Sequence, residues 1–241
     1  MNNLSNKHIE FLNSTVDSSN FTINDVADDN ACMYRSIANY IYYATPHTSI
    51  HYLKRFKDWG KIKNIEDVLN NYGYFSEEQD LLARFIQKLI VRYIILNPSK
   101  ILKEYSMSIE NLIPIFHDIT ITEYIEEYEK FAGDERLNKN EYDRWGSLLE
   151  LNIISEIIGC PIIIFNSQKF DNKTDKITNG KIVNSKPHKD VRFRIMQIIN
   201  KDLLNKTFPI FLIWKKYNNN GHFMPCYPNS ESIINNIILE N

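Results

Sequence analysis

The hydrophobic period changes once along the chain, and this change limits the fold more than any other feature. Before Gly159, apolar residues recur three and four positions apart, which indicates amphipathic helices. After it, Pro161–Phe165 is a continuous run of β-branched and aromatic residues, which indicates a buried strand. The order predicts an α/β (α+β) protein, with helices in the first two-thirds and a mixed sheet after them.

Local start and stop signals place the helices. The clearest helix begins at Ser76-Glu77-Glu78 and is stopped by Asn97-Pro98. The helix that precedes the change of period runs from Ser147 to Ile158 and ends at Gly159, a favoured residue just past a helix end. Helices are predicted over Cys32–Ala44, Ser76–Leu96, Ile109–Phe116, Thr122–Phe131 and Ser147–Ile158.

The last third of the chain is predicted to form β-strands. Val191–Ile199 alternates in part, Phe208–Trp214 is another apolar run, and His222–Tyr227 follows it. Tyr217–Gly221 is rich in Asn and ends in Gly, which predicts a turn between the last two strands. Phe21–Val26 carries further β-forming residues near the N-terminus.

Composition limits the class of protein and its partners. The chain has 241 residues, of which 43% are hydrophobic and 24% charged, so disordered and collagen-like classes are excluded. We expect a polar N-terminal arm over 1–20, one domain over 21–230 and a C-terminal tail over 231–241. A net charge of -2 provides no basic field for nucleic acid. No apolar run is long enough to span a membrane, no secretory signal is evident, and a monomer is expected.

Cysteine usage indicates the compartment. Cys32, Cys160 and Cys226 are too few and too scattered for a disulfide scaffold, so a reducing, cytoplasmic compartment is expected. They have no metal-ligand spacing, and we expect neither a metal nor an organic cofactor. Abundant Ile and Asn against 7 Gly and 8 Pro suggest AT-rich coding, as in intracellular bacteria, parasites and large DNA viruses. The cytosol of a host cell is therefore a second expected location.

Cys32 is the best candidate for a nucleophile. It follows the acidic turn Ala27–Asn30 and begins a predicted helix, where the positive end of the helix dipole favours a thiolate. The alternative is a buried structural cysteine. Cys160 and Cys226 lie in or beside predicted strands, so core packing explains them better.

A thiolate nucleophile requires a base, and His222 is the best candidate among six histidines. It follows an Asn-Gly pair between two apolar strands, so its position is well defined, although a structural role is the alternative. A nucleophile at a helix start with a base on a late strand is the order of papain-like enzymes, which catalyse acyl transfer by cysteine.

Four segments resemble one family of enzymes. Asp29–Ser36 reads D-N-A-C-M-Y-R-S and resembles the nucleophile motif of the ovarian tumour (OTU) cysteine proteases, which is usually D-G-N-C followed by an apolar residue, an aromatic residue, R and S. Arg144–Leu151, with its W-G pair before E-L, resembles the second block of that family, and Gly221-His222-Phe223 resembles the third. Arg92–Pro98 resembles a helix end between the first two blocks, and the resemblance extends from about Phe21 to Pro228.

The resemblance implies a fold and an activity. The fold would be the OTU papain-like fold, with a central mixed sheet between helices, and the activity would be that of a deubiquitinase. Cys32 would be the nucleophile, His222 the base, and backbone N–H groups around Asn30 and Ala31 the oxyanion site. The partner would be ubiquitin or a ubiquitin-like modifier. Trp145 would support the cleft or the histidine strand, with a pure core role as the alternative.

The departures from the family motif concern the groups around the catalytic pair. Asn30 stands for the usual Gly, and Asn tolerates a left-handed backbone better than most residues. Ala31 stands for Asn but keeps its backbone N–H. Met224 stands where many members have an Asp or Asn that orients the imidazole, so Asp29 is expected to take that role or else only to brace the turn. The further candidates are Asp25, Asp28 and Asn218–Asn220.

The sequence is compatible with two other functions. Met224 favours a catalytically impaired OTU-like module that binds ubiquitin without cleaving it. A structural protein in which the motif is coincidental would neither bind nor cleave ubiquitin.

Overall fold

The structure is a computed structural model that describes residues 15–23, 26, 31–48, 76–133, 146–167, 192–217 and 220–229. The chain divides into two compact units. The sheet unit comprises Met1–Val26 and Cys160–Asn241, and the helical unit comprises Ala27–Gly159. The domain boundaries expected from the sequence stay a prediction, and the tail over 231–241 lies outside the described residues.

The described part of the helical unit contains five α-helices and one short hairpin. The helices are α1 Cys32–Thr48, α2 Ser76–Leu96, α3 Ile109–His117, α4 Ile121–Gly133 and α5 Leu148–Ile158. The hairpin pairs β3, Ile101–Leu102, with β4, Met107–Ser108, in antiparallel fashion.

Helix α2 is central in this unit, because α1, α4 and α5 all pack against it. Its apolar stripe is buried at Leu89, Ile90, Tyr93 and Ile94, as the helical spacing predicts. Helix α5 is buried along almost its whole length. Ser147 caps its start, and Gly159 ends it with a φ of 65°, a left-handed conformation that glycine adopts without a steric penalty.

The sheet unit is built on six strands. They are β1 Thr15–Asp17, β2 Phe21–Ile23, β5 Ile162–Ser167, β6 Arg192–Ile199, β7 Ile210–Tyr217 and β8 Asn220–Pro228. Their order across the sheet is β1-β6-β5-β7-β8-β2. The pair β5–β7 is parallel and the others are antiparallel, so the sheet is mixed.

The short link between the two edge strands forces this sheet to curl. Strands β1 and β2 lie at opposite edges, yet only the 3₁₀ turn Ser18–Asn20 joins them. Four residue steps reach roughly 14 Å at most, whereas the edges of a flat six-stranded sheet would lie about 24 Å apart. Asn229, just after β8, accepts from the Thr22 hydroxyl at 2.7 Å and donates to the Ser19 carbonyl at 3.0 Å, which holds the turn in place.

An aromatic cluster fills the inner face of the curl. The Phe21 ring of β2 lies 5.3 Å from Phe165, 5.9 Å from Phe193 and 5.6 Å from Phe211, between ring centroids. Those three rings belong to β5, β6 and β7, and all four side chains are at most 1% exposed. One residue of an edge strand thus contacts three strands with which it has no backbone pairing.

The structure confirms the α/β (α+β) class and the mixed sheet, and it corrects several details. Thr15–Asp17, expected in a polar arm, pairs with β6, because long-range pairing there depends on the partner strand. The turn predicted over Tyr217–Gly221 is too long, because Tyr217 already pairs with Asn220 and Gly221 lies within β8. The hairpin β3–β4 was not predicted. Within the described ranges, no helix combines the length and the apolar character that crossing a membrane requires.

Replacing Phe21 with Ala should lower the free energy of unfolding by about 3–5 kcal/mol, because the ring is buried against three others. Urea denaturation followed by circular dichroism measures this loss. Phe208→Ala is the matched control, because Phe208 belongs to the same unit but is 42% exposed, and it should cost clearly less, about 1–2 kcal/mol. Equal losses in the two variants would contradict the inner position of Phe21.

Candidate active site

Cys32 is the first residue of α1. The carbonyl of Ala31 accepts a hydrogen bond from the Arg35 N–H at 2.9 Å, which is the first helical bond. Ala31 is therefore the N-cap residue, and Cys32 lies at the positive end of the helix dipole. The Cys32 side chain is 1% exposed and Ala31 is 2% exposed, so the helix start is buried.

The other residues of the predicted nucleophile motif lie outside the described residues. This applies to Asp29 and Asn30, to the further candidates Asp25 and Asp28, and to Trp145 in the second block. Their roles stay predictions. Of the further candidates around the last turn, Asn218 and Asn219 also lie outside, and Asn220 is the first residue of β8.

His222 lies in β8, opposite Lys215 of β7. Its side chain is 2% exposed and its Nδ1 atom is fully buried. Directly paired residues share one face of an antiparallel sheet, so Lys215, which is 6% exposed, lies beside the histidine. The pairing of Gly221 and Phe223, its neighbours along the strand, with Lys216 and Trp214 of β7 holds its position.

Gly221 serves close packing rather than a turn. A methyl group at this position would overlap the indole Nε1 of Trp214 and lie 2.8 Å from its Cε2. The indole of β7 therefore covers the backbone of the residue immediately before His222. The Asn-Gly pair indicated a turn from the sequence, but the pairing of Lys216 with Gly221 places the glycine in the strand.

Met224 is part of the apolar face of the sheet. It lies two residues after His222 on the same face, is 5% exposed and pairs with the buried Ile213 of β7. An amide or carboxylate at this position would be buried next to an isoleucine. The departure from the family motif is thus consistent with the packing around it.

The structure places the candidate residues in different units. Ala31 and Cys32 lie in the helical unit, whereas His222, Cys160 and Cys226 lie in the sheet unit. All three cysteines are buried, so burial alone does not distinguish Cys32 from Cys160 and Cys226. Burial raises the pKa of the Cys226 thiol well above its ordinary value, which favours the protonated thiol and disfavours a nucleophilic role.

A buried cluster around Glu150 includes residues that no sequence motif singles out. One carboxylate oxygen of Glu150 accepts from the Tyr124 hydroxyl at 2.8 Å and lies 2.7 Å from Nε2 of His117. The other oxygen accepts from the Ser147 N–H at 2.7 Å and from the Ser147 hydroxyl. The Ser147–Glu150 spacing is a capping-box signature that the sequence displays, but nothing local indicates Tyr124 or His117.

The cluster shifts the ionisation of both its acidic members. Burial alone would raise the pKa of Glu150. The opposing effects are larger and lower this pKa: a hydrogen bond with His117, the charge of His117, and hydrogen bonds from Ser147 and Tyr124. Burial, and then the charge of Glu150, raise the pKa of Tyr124 well above its ordinary value. Glu150 is therefore a carboxylate and Tyr124 a hydroxyl donor at neutral pH.

No group of His, Cys, Asp or Glu side chains in the described ranges has an arrangement that could hold a metal ion. The chemistry that the described residues offer is that of a buried thiol at a helix start and a buried imidazole on a strand.

Two solved structures are similar to this chain. One is an ovarian tumour (OTU) domain in complex with ubiquitin, at 13% identity and a TM-score of 0.37, covering 92% of this chain and 91% of that one. The other is an OTU deubiquitinase from Wolbachia pipientis wMel bound to ubiquitin, at 10% identity and a TM-score of 0.36, covering 87% and 96%. Both are OTU domains, the family that the sequence blocks resemble. No family model matches the sequence, and no curated protein matches it.

The stability of the protein should fall in acid partly through Glu150. Its pKa is lower in the folded chain than the ordinary 4.5, so its stabilising contribution is present above that value and is lost as the pH falls through the folded pKa. Urea denaturation from about pH 7 to about pH 3 should show this loss in the wild type and a shallower one in Glu150→Gln. Glu110→Gln, which changes an exposed carboxylate of α3, should keep the wild-type slope. The same slope in Glu150→Gln would contradict the assignment.

Proposed function

We propose that this chain is a cysteine-type deubiquitinase, which hydrolyses the isopeptide bond after the C-terminal glycine of ubiquitin or a ubiquitin-like modifier. The observation that carries the proposal is the position of Cys32 as the first residue of α1, within the segment that resembles the OTU nucleophile motif. A helix start is where a thiolate is best stabilised by the peptide dipoles.

The reaction follows the chemistry of a cysteine nucleophile with a histidine base. His222 takes the proton of the Cys32 thiol, and the sulfur attacks the carbonyl of the terminal glycine. Backbone N–H groups around Asn30, Ala31 and Cys32 stabilise the oxyanion. The lysine amine leaves with the proton from His222, and water then hydrolyses the thioester, which restores the thiol. No metal or organic cofactor takes part.

The other sequence blocks support the proposal through the elements on which they lie. The second block leads into α5, which Ser147 caps and the strand β5 follows, as the resemblance implies. The third block lies on the strand β8, where His222 is buried. The proposed enzyme is a monomer and does not bind nucleic acid. It acts in the cytoplasm or in the cytosol of a host cell.

One observation favours a second function. Met224 lies beside His222 on the apolar face, and its thioether cannot replace the oxygen that orients the imidazole in many OTU proteases. The second candidate is therefore an OTU-like module that binds ubiquitin and is catalytically impaired. Binding without covalent capture in the experiment below would favour it.

Ubiquitin that carries an electrophile at its C-terminus should capture Cys32 covalently in the wild type. Cys32→Ala should abolish capture and di-ubiquitin cleavage while ubiquitin binding remains, because only a small thiol is lost. His222→Ala should slow capture severely, because the loss of the base in a triad costs almost as much as the loss of the nucleophile. Mass spectrometry of the adduct and titration calorimetry give the two readouts.

Cys160→Ala is the matched control, since it removes a buried thiol from the sheet unit and should leave capture unchanged. Capture that persists in Cys32→Ala, or disappears in Cys160→Ala, would overturn the assignment. Neither capture nor affinity in the wild type would mean that the motif is coincidental. A panel of di-ubiquitins with different linkages then defines the substrate preference.

We further propose that Asp29 accepts the ring N–H of His222 and so positions it. Asp29→Ala should lower kcat by about two orders of magnitude, less than the roughly four of a serine triad, because a helix-start thiolate needs less help from the base. KM and ubiquitin affinity should change little. Met224→Asn in that background should restore part of the activity per folded molecule, although burial of the amide costs about 1–3 kcal/mol of stability.

Asp28→Ala is the matched control for Asp29→Ala, because the two residues are adjacent and equally charged. It should retain wild-type kcat. If Asp28→Ala loses as much activity as Asp29→Ala, or if Asp29→Ala is fully active, the orienting role passes to another residue.

A further inference from the structure

The first turn of α1 is held at two points, both next to Cys32. Met33 is 1% exposed and packs against the backbone of Gly146. A methyl group added at Gly146 would lie 2.6 Å from the Sδ atom of Met33 and 3.3 Å from the Cβ atom of Met33. Tyr34 is fully buried, and its hydroxyl lies 3.2 Å from the hydroxyl of Tyr128 in α4. The two residues that follow the proposed nucleophile therefore have fixed neighbours.

The contacts of Met33 with Gly146 and of Tyr34 with Tyr128 are the two anchors of the first turn, and both connect to the carboxylate of Glu150. Gly146 precedes Ser147, whose N–H and hydroxyl donate to one oxygen of Glu150. The Tyr128 ring stacks on Tyr124 with centroids 4.3 Å apart and planes 18° from parallel. The Tyr124 hydroxyl in turn donates to the other oxygen of Glu150 at 2.8 Å.

We propose that Glu150 is a positioning residue that fixes the start of α1, and hence the Cys32 sulfur, through these two anchors. The inference rests on the proposed nucleophilic role of Cys32. Glu150 acts through Ser147 and Gly146 on one side and through Tyr124 and Tyr128 on the other.

The geometry exceeds what a helix cap requires. A capping box needs one oxygen of the Glu, and here Ser147 occupies that oxygen. The second oxygen lies among groups from α3 and α4, namely His117 and Tyr124, and Glu150 is fully buried where a capping glutamate is ordinarily exposed. Only a carboxylate can accept on both sides, because an amide presents an NH₂ group on one of them.

The test compares the three cysteines of the intact chain in the wild type and in Glu150→Gln. Each protein is treated with iodoacetamide, and the alkylation rates at Cys32, Cys160 and Cys226 are measured by peptide mass spectrometry. All three thiols are buried; Cys160 lies just after the end of α5, which carries Glu150, and Cys226 lies in β8, so these two report opening away from the first turn of α1. We expect Cys32 alone to react roughly tenfold faster in Glu150→Gln, because its helix start opens more often.

Each outcome decides the proposal. An unchanged rate at Cys32 would overturn it. An equal increase at all three thiols would also overturn it, because Glu150 would then support only general stability. Tyr34→Phe removes one hydroxyl from one anchor and should give a smaller increase at Cys32 alone. Glu110→Gln, the same chemical change at an exposed glutamate of α3, should leave all three rates as in the wild type.

Capture by the electrophilic ubiquitin separates this proposal from the proposed function. Glu150→Gln should be captured roughly tenfold or more slowly, with unchanged ubiquitin affinity, because a displaced sulfur is less productive even when it is more accessible. In a variant that circular dichroism shows to be fully folded, faster alkylation with slower capture is a combination that lost stability alone does not produce, because the population able to bind ubiquitin is then unchanged. If the wild type is not captured at all, the proposed function fails, whereas the alkylation rates still decide the role of Glu150.

Discussion

In the described part of the helical unit, the fully buried carboxylate of Glu150 connects several helices. Burial of an ionised Glu150 costs several kcal/mol unless each oxygen is fully hydrogen-bonded, and both oxygens receive donors in this structure. The donors come from the end of α3, from α4 and from the cap of α5, so the condition that keeps the charge stable also fixes three helices relative to one another. Through the stacked tyrosines, the same condition extends to the first turn of α1.

The sheet unit depends on a different constraint, namely the short link between its edge strands. The link forces the sheet to curl, and the inner face must then be filled by large apolar side chains such as Phe21. His222 and Met224 lie on this face of β8. The buried imidazole therefore lies on a largely apolar face, with the buried Lys215 directly opposite it on β7.

Met224 and Gly221 illustrate how packing accounts for departures from a motif. From the sequence, Met224 is an anomaly at a position where a hydrogen-bond acceptor is common, whereas in the fold it is a core residue opposite Ile213. From the sequence, Gly221 indicates a turn. In the fold it lies in β8, where the indole of Trp214 occupies the space that a side chain would need. In both cases a contact with the neighbouring strand β7 explains the residue type.

The sequence by itself determined the elements whose hydrogen bonds close within a few residues. The bounds of α2, the Ser147 cap and the Gly159 end are local, because they depend on side chains at most four positions away. Only the tertiary structure decided that Thr15–Asp17 forms an edge strand, that His117 meets Glu150 across 33 positions and that Tyr34 meets Tyr128 across 94. Such contacts depend on which surfaces pack together, and no periodicity within one segment encodes the identity of its distant partner.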